Sequence, residues 1–78
     1  MRLIMQKAEV ITQDGQILQV KCQGRTYPVQ DTLRHWKFGG QWWLDGLPRE
    51  YYLVQTPTGT VLEIFEEVLE WTLSAIQD

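Results

Sequence analysis

The stretch AEVITQDGQILQVKC, residues 8–22, contains the clearest fold signal in the chain. Its central pair, Asp14-Gly15, suits a type I′ turn, in which both central residues need positive φ. After the turn, apolar and polar residues alternate, which is the period-2 pattern of a half-buried strand. The segment therefore predicts a β-hairpin. The side chains predicted to face its buried side are Leu18, Val20 and Cys22.

Turn-forming residues recur at short intervals along the rest of the chain, at QGR, FGGQ, LDGLP and TPTG. Between them, TYPV places Tyr27 and Val29 on one face, and Pro28, which has no N–H, belongs at a strand start or on a sheet edge. The regular spacing of these turns predicts a mainly β protein of about six short antiparallel strands, arranged as a meander that forms a partial barrel.

Two segments interrupt the alternation. Between Asp31 and Phe38 the apolar side chains change face, which predicts a bulge, a bend or a single helical turn. Over residues 66–77 the pattern leaves helix and strand open. Helical spacing relates Phe65, Leu69, Leu73 and Ile76, whereas a strand would place Trp71, Leu73 and Ala75 on one face.

The chain length of 78 residues predicts a single small domain over residues 1–78. A chain of this size buries only about 60% of the surface that its unfolded form exposes. Because there is one cysteine, no disulfide within the chain can add stability, so several of the four Trp, three Tyr and two Phe are expected to lie in the core. No stretch reaches the roughly 20 apolar residues of a membrane span, so a cytoplasmic protein without membrane contact is expected.

Charge is unevenly distributed. Residues 1–50 contain seven basic and five acidic residues, a net charge of +2, whereas residues 51–78 contain five acidic residues and no basic one. The whole chain has a net charge of −3, which does not favour a general nucleic-acid-binding role, although a local basic strip remains compatible with one.

No enzyme signature is present in the sequence. A Cys22–His35 nucleophile–base pair is conceivable, but Cys22 lies on the predicted apolar face, where cysteine is usually an inert small hydrophobe. Asp45, Glu50 and Glu63 have no metal-binding spacing. We therefore expect a protein without catalytic activity, metal or cofactor.

The segment RHWKFGGQWWLDGLPREYY, residues 34–52, combines cations with aromatic rings. Neighbouring rings of an extended chain point to opposite faces, so some should fill the core while others face outward. The simplest interpretation of the outward rings and the cations is incidental surface beside the core. As a contact surface they suit a protein partner in preference to single-stranded nucleic acid. The predicted contact residues are Arg34, Lys37, Trp42, Trp43, Arg49, Tyr51 and Tyr52.

A string of motifs over residues 8–78 resembles a small bacterial domain family of unknown function. The resemblance implies a strand over residues 70–77 and, because family members occur alone or near genes for Y-family-like translesion DNA polymerases and their accessory proteins, a link to DNA repair. Glu66 and Glu67 stand where relatives tend to be basic or aromatic, which weakens DNA binding on that side. The residues that carry the resemblance are Gly24, Arg25, Tyr27, Val29, Trp36, Trp42, Trp43, Pro48, Arg49, Tyr51, Thr56, Gly59, Trp71, Leu73 and Asp78.

Overall fold

The computed structural model describes residues 2–38 and 48–77. These residues form seven antiparallel strands and no helix. The strands are β1 (Arg2–Gln13), β2 (Gln16–Cys22), β3 (Arg25–Pro28), β4 (Asp31–Phe38), β5 (Arg49–Gln55), β6 (Val61–Glu67) and β7 (Glu70–Gln77).

All seven strands belong to one sheet, in the order β3-β2-β1-β7-β6-β5-β4, which curls into an open half-barrel. The predicted mainly β partial barrel is confirmed, with seven strands in place of about six. The sheet contains two meanders in place of the single meander that the sequence predicts. Strands β3 and β4 follow each other in the chain but lie at opposite edges, and pairing of β1 with β7 joins β1–β3 to β4–β7.

The change of face within β4 is a β-bulge. Thr32 pairs with Val54 and Arg34 pairs with Leu53, so Leu33 is the extra residue. An extra residue on one strand reverses the faces of the side chains that follow it. This confirms the bulge that the sequence predicts among its alternatives for residues 31–38.

A second bulge corrects the predicted inward face of β2. Thr12 pairs with Ile17 and Ile11 pairs with Gln19, which leaves Leu18 as the extra residue. Leu18 is exposed and Ile17 is buried in its place, whereas Val20 and Cys22 are buried as predicted. The face prediction for Leu18 was wrong because two adjacent apolar residues give no sign of which one is bulged.

The C-terminal segment is a strand, as the family resemblance implies, and the helical alternative is excluded. Its hairpin turn with β6 consists of Val68 (φ 50°) and Leu69 (φ 64°). In β7, Ser74 is an extra residue between the partners of Glu63 and Ile64. The Ser74 hydroxyl lies 2.9 Å from the carbonyl oxygen of Glu63 and 2.8 Å from a carboxylate oxygen of the same residue, and can donate to either.

The concave face of the half-barrel carries the hydrophobic core. Tyr27 and Val29 pack against this core, as predicted, and Pro28 ends the edge strand β3. The main core cluster comprises Ile17, Val20, Cys22, Val54, Leu62, Ile64, Leu73 and Ile76.

Among residues 2–38 and 48–77, no helix has the length and apolar character needed to cross a membrane.

The two sheet edges differ. β3 has four residues and ends in a proline, whereas β4 has eight residues and no proline. Val29 and Gln30 connect the two edges, and their N–H groups donate to the carbonyl oxygens of Leu18 and Gln55, respectively. Because short strands and prolines protect an edge from further pairing, β4 is the more open of the two edges in the part of the chain that the structure describes.

Candidate interaction surface

A row of three aromatic rings crosses the convex face from β4 to β6. The sheet register aligns Trp36 with Tyr51 and Tyr51 with Phe65. The Trp36 and Tyr51 rings stack with centroids 5.3 Å apart, and the Tyr51 and Phe65 centroids are 5.1 Å apart. We call these three residues the aromatic row. Phe38, 65% exposed at the end of β4, meets the row edge-on at Tyr51.

Arg49 is held against the aromatic row. Its guanidinium carbon lies 4.5 Å from the centre of the Phe65 ring, and its Nε donates to a Glu67 carboxylate oxygen at 2.6 Å. Its Nη1 donates to the Tyr51 hydroxyl at 3.3 Å. The pKa of Arg49 is raised, chiefly because Glu67 accepts its hydrogen bond and secondarily because Tyr51 does. Arg49 therefore covers Phe65, which is buried although it lies on the convex face.

Arg34 is more accessible to a binding partner than Arg49, the other arginine of the convex face. Its guanidinium carbon lies 5.4 Å from the centre of the Trp36 ring, in the range of a cation–π interaction. Arg34 is exposed on the edge strand, and no carboxylate among the described residues forms an ion pair with it. Its charge is therefore open to an incoming group.

The concave side of the same strands carries a different set of contacts. The His35 and Tyr52 rings stack with centroids 4.3 Å apart, and the Tyr52 and Trp71 centroids are 5.4 Å apart. A His35 ring nitrogen lies 2.9 Å from a Glu50 carboxylate oxygen. Burial raises the pKa of the Tyr52 phenol, and the negative charges of Glu50 and Glu66 raise that pKa further.

The structure thus divides the predicted contact residues between two faces. Arg34, Arg49 and Tyr51 lie together on the convex face, whereas Tyr52 packs against the core on the concave face. The predicted divergence of Tyr51 and Tyr52 is confirmed. By strand alternation Lys37 shares the face of His35 and Tyr52, opposite Glu50 in the register. Trp42 and Trp43 lie outside the described residues.

Three members of the convex surface are absent from the predicted contact set: Trp36, Phe38 and Phe65. Trp36 and Phe38 are visible in the sequence as alternate residues after the β4 bulge. Phe65 joins them only through the β5–β6 register, in which it lies opposite Tyr51. That register depends on chain pairing and not on local composition, so sequence periodicity could not identify it.

The Cys22–His35 nucleophile–base pair, conceivable from the sequence, is not formed in the structure. Cys22 is buried, its thiol donates to the Lys7 carbonyl oxygen at 3.4 Å, and burial raises its pKa, which disfavours the nucleophilic thiolate. His35 contacts Glu50 and not Cys22. Within residues 2–38 and 48–77, no three His, Cys, Asp or Glu side chains are grouped to hold a metal ion.

No protein-family model, curated protein or solved structure matches the chain. The family resemblance carried by its sequence motifs therefore stays a prediction.

Proposed function

We propose that this chain is a non-enzymatic interaction module that binds a protein partner through β4 and the convex face beside it. The observation that carries this proposal is the eight-residue strand β4, whose outer side pairs with no strand among residues 2–38 and 48–77. The aromatic row begins at Trp36 of this strand, and Arg34 beside it forms no ion pair with a described carboxylate. Exposed Trp, Tyr and Arg are the side chains that most often anchor protein interfaces.

Single-stranded nucleic acid is the second candidate, and the Arg34–Trp36 contact is the feature that favours it. Two features of the convex face favour the protein partner instead. Trp36 and Tyr51 stack on each other, which occupies ring faces that bases would use. Glu63 and Glu67 flank Phe65 on β6, where phosphates following the row would meet carboxylates.

The family resemblance suggests DNA repair as the process in which this module acts. A protein partner from that machinery would satisfy both the resemblance and the geometry without direct DNA contact. The cell compartment that this reading implies is the bacterial cytoplasm.

Site-specific photo-crosslinking in the native cell tests the proposal. A benzophenone amino acid at position 38 should give a discrete cross-linked protein, whereas the same group at the exposed position 18 on the other half of the sheet should not. Arg34→Glu should abolish the cross-link from position 38, and Lys21→Glu on β2 should leave it unchanged. An identical set of products from positions 18 and 38 would contradict a partner at β4.

Fluorescence titration separates the nucleic-acid candidate. Single-stranded oligothymidylate at low salt should leave tryptophan emission unchanged if the partner is a protein. Quenching that weakens steeply as salt rises, and that Arg34→Glu removes, would favour nucleic acid.

A further inference from the structure

We propose that β4 takes up an acidic extended segment of its partner as an added strand, an inference that rests on the proposed function and specifies the partner chemistry. The argument begins with the backbone. β4 pairs with β5 on one side, and no other described strand pairs with its second side. An edge of this kind offers unpaired N–H and C=O groups to an incoming strand.

The bulge at Leu33 limits the length that a partner strand can follow. Bulges bend a strand and interrupt its ladder, so regular pairing begins after Leu33. Arg34–Phe38 then remains as a continuous stretch paired in unbroken register with Leu53–Arg49. Five residues in this stretch are enough for a short extended peptide to pair with.

The charges on that stretch define the kind of segment it fits. Arg34 and Lys37 are exposed, and neither has an ion-pair partner among residues 2–38 and 48–77. Asp31, the one acidic residue of β4, lies before the bulge. Glu50 lies opposite Lys37 on β5, and a Glu50 carboxylate oxygen is engaged by a His35 ring nitrogen 2.9 Å away. The carboxylates of β6 are about 10 Å farther from an added strand than β4 is, because neighbouring strands are about 4.8 Å apart.

The spacing of the two cations predicts a pattern in the partner. Arg34 and Lys37 are three residues apart and so point to opposite faces of the sheet. Cross-strand neighbours on one face interact directly, so the added strand should carry acidic residues three positions apart. An apolar residue should lie opposite Trp36, next to the acidic residue that pairs with Lys37.

A second copy of this chain is a poorer occupant for the same edge. Antiparallel pairing of two β4 strands would bring two Arg34 and two Lys37 side chains into one short ladder. The two Asp31 side chains would lie outside the regularly paired stretches. Like charges placed opposite each other destabilise a sheet, so the charge pattern favours an acidic partner over self-association.

A display library of random octapeptides, selected against the full chain at low salt, tests the inference. The selected peptides should be enriched in Asp or Glu at two positions three apart. The double variant Arg34→Glu/Lys37→Glu should exchange this preference for Lys or Arg, with binding of the original peptides weakened at least tenfold. The matched double variant Lys7→Glu/Lys21→Glu makes the same charge change on β1 and β2 and should select the same peptides as the unmodified chain.

Amide hydrogen exchange with a selected peptide tests strand addition. The alternate amides of residues 34–38 that point away from β5 should gain protection on binding, and amides of β3 should not. Selection without an acidic preference, or acidic peptides that bind without protecting β4, would overturn the inference. A dimer in sedimentation equilibrium, with the outward-pointing β4 amides already protected in the absence of peptide, would also overturn the inference.

The two proposals fail in different ways. One outcome is a cellular cross-link at position 38 that depends on Arg34, with no acidic preference among the library peptides. That outcome would support the interaction module and reject the acidic added strand. Absence of both the cross-link and the selected peptides would exclude both.

Discussion

The indole ring of Trp36 and the phenol ring of Tyr51 lie nearly parallel on neighbouring strands, with centroids 5.3 Å apart and planes 7° apart. Trp36 belongs to the edge strand and has no neighbouring strand beyond it among the described residues. The stack therefore attaches the outermost strand to the rest of the sheet and also forms the outer end of the aromatic row.

We expect a double-mutant cycle of Trp36→Ala and Tyr51→Ala to give a coupling energy of about 0.5–1.5 kcal/mol in the free energy of unfolding, the range for aromatic pairs. Denaturant unfolding measures each variant. The control pair is Trp36→Ala with Tyr27→Ala, since Tyr27 packs against the core from β3. Additive effects for Trp36 and Tyr51 would show that the stack contributes no more than its buried area.

Arg49 should contribute to stability mainly by covering Phe65. We expect Arg49→Ala to lower the free energy of unfolding by about 1–2 kcal/mol, because it exposes an apolar ring and removes a charge-assisted hydrogen bond. Arg49→Met keeps an apolar cover and should lose less. Arg25→Ala, on an exposed site of β3, is the control and should change stability by less than about 0.5 kcal/mol. Equal losses for Ala and Met would assign the effect to charge alone.

The Val68-Leu69 turn should be a site of stored strain. Both residues have positive φ, and Val68 is β-branched, a residue type for which this conformation is a genuine outlier. Residues held in such regions cost about 1–3 kcal/mol each, so Val68→Asn/Leu69→Gly should raise the free energy of unfolding by about 1–2 kcal/mol.

Val68→Thr is the control for that substitution, because it adds polarity and keeps the β-branch. It should give none of the gain in thermal or denaturant unfolding. A stabilisation by Val68→Thr equal to that of the Asn-Gly turn would point to lost surface hydrophobicity, since the Val68 and Leu69 side chains are 67% and 89% exposed.

The Tyr52 phenol should make stability fall in alkaline solution. Its pKa in the folded protein is raised above the ordinary value of 10.0, chiefly by burial. The folded state therefore keeps the proton longer than the unfolded state, so this contribution is fully present below pH 10.0 and is lost as pH rises through the folded pKa. The free energy of unfolding should decrease by up to about 1.4 kcal/mol per pH unit in that window.

Tyr52→Phe should remove this part of the pH dependence, measured by denaturant unfolding at a series of alkaline pH values. Glu50→Gln should lower the Tyr52 pKa, followed by NMR of the ring carbon that bears the hydroxyl, without returning it to 10.0, because burial remains. A phenol that titrates at its ordinary pKa in the unmodified chain would contradict the buried environment.

Local chemistry accounts for what the sequence could predict. Asp14 and Gly15 both adopt positive φ, as the hairpin requires, because turn geometry depends on the residues in the turn itself. The opposite faces of Tyr51 and Tyr52 follow from strand pleating alone. The interruption in β4 was visible because a bulge changes the parity of the apolar residues that follow it.

Pairing between distant residues accounts for what the sequence could not predict. The Arg49–Glu67 ion pair joins residues 18 positions apart, and its existence depends on the β5–β6 register. The family resemblance implied the β6–β7 hairpin, but its turn contains neither Gly nor Asn, so local turn chemistry did not show it. The exposed position of Leu18 depends on which of two apolar neighbours is bulged, and side-chain packing in the folded sheet decides that choice.

Pairing of β1 with β7 has a consequence for how the chain acquires its structure. Arg2 pairs with Ile76, so the middle of the sheet joins residues from the two ends of the described chain. During synthesis the two meanders can each begin to form hairpins, but the sheet stays divided until β7 has left the ribosome. Contacts that span such long sequence separations slow folding. Pairing of β1 with β7 should therefore be the last step in the assembly of the half-barrel.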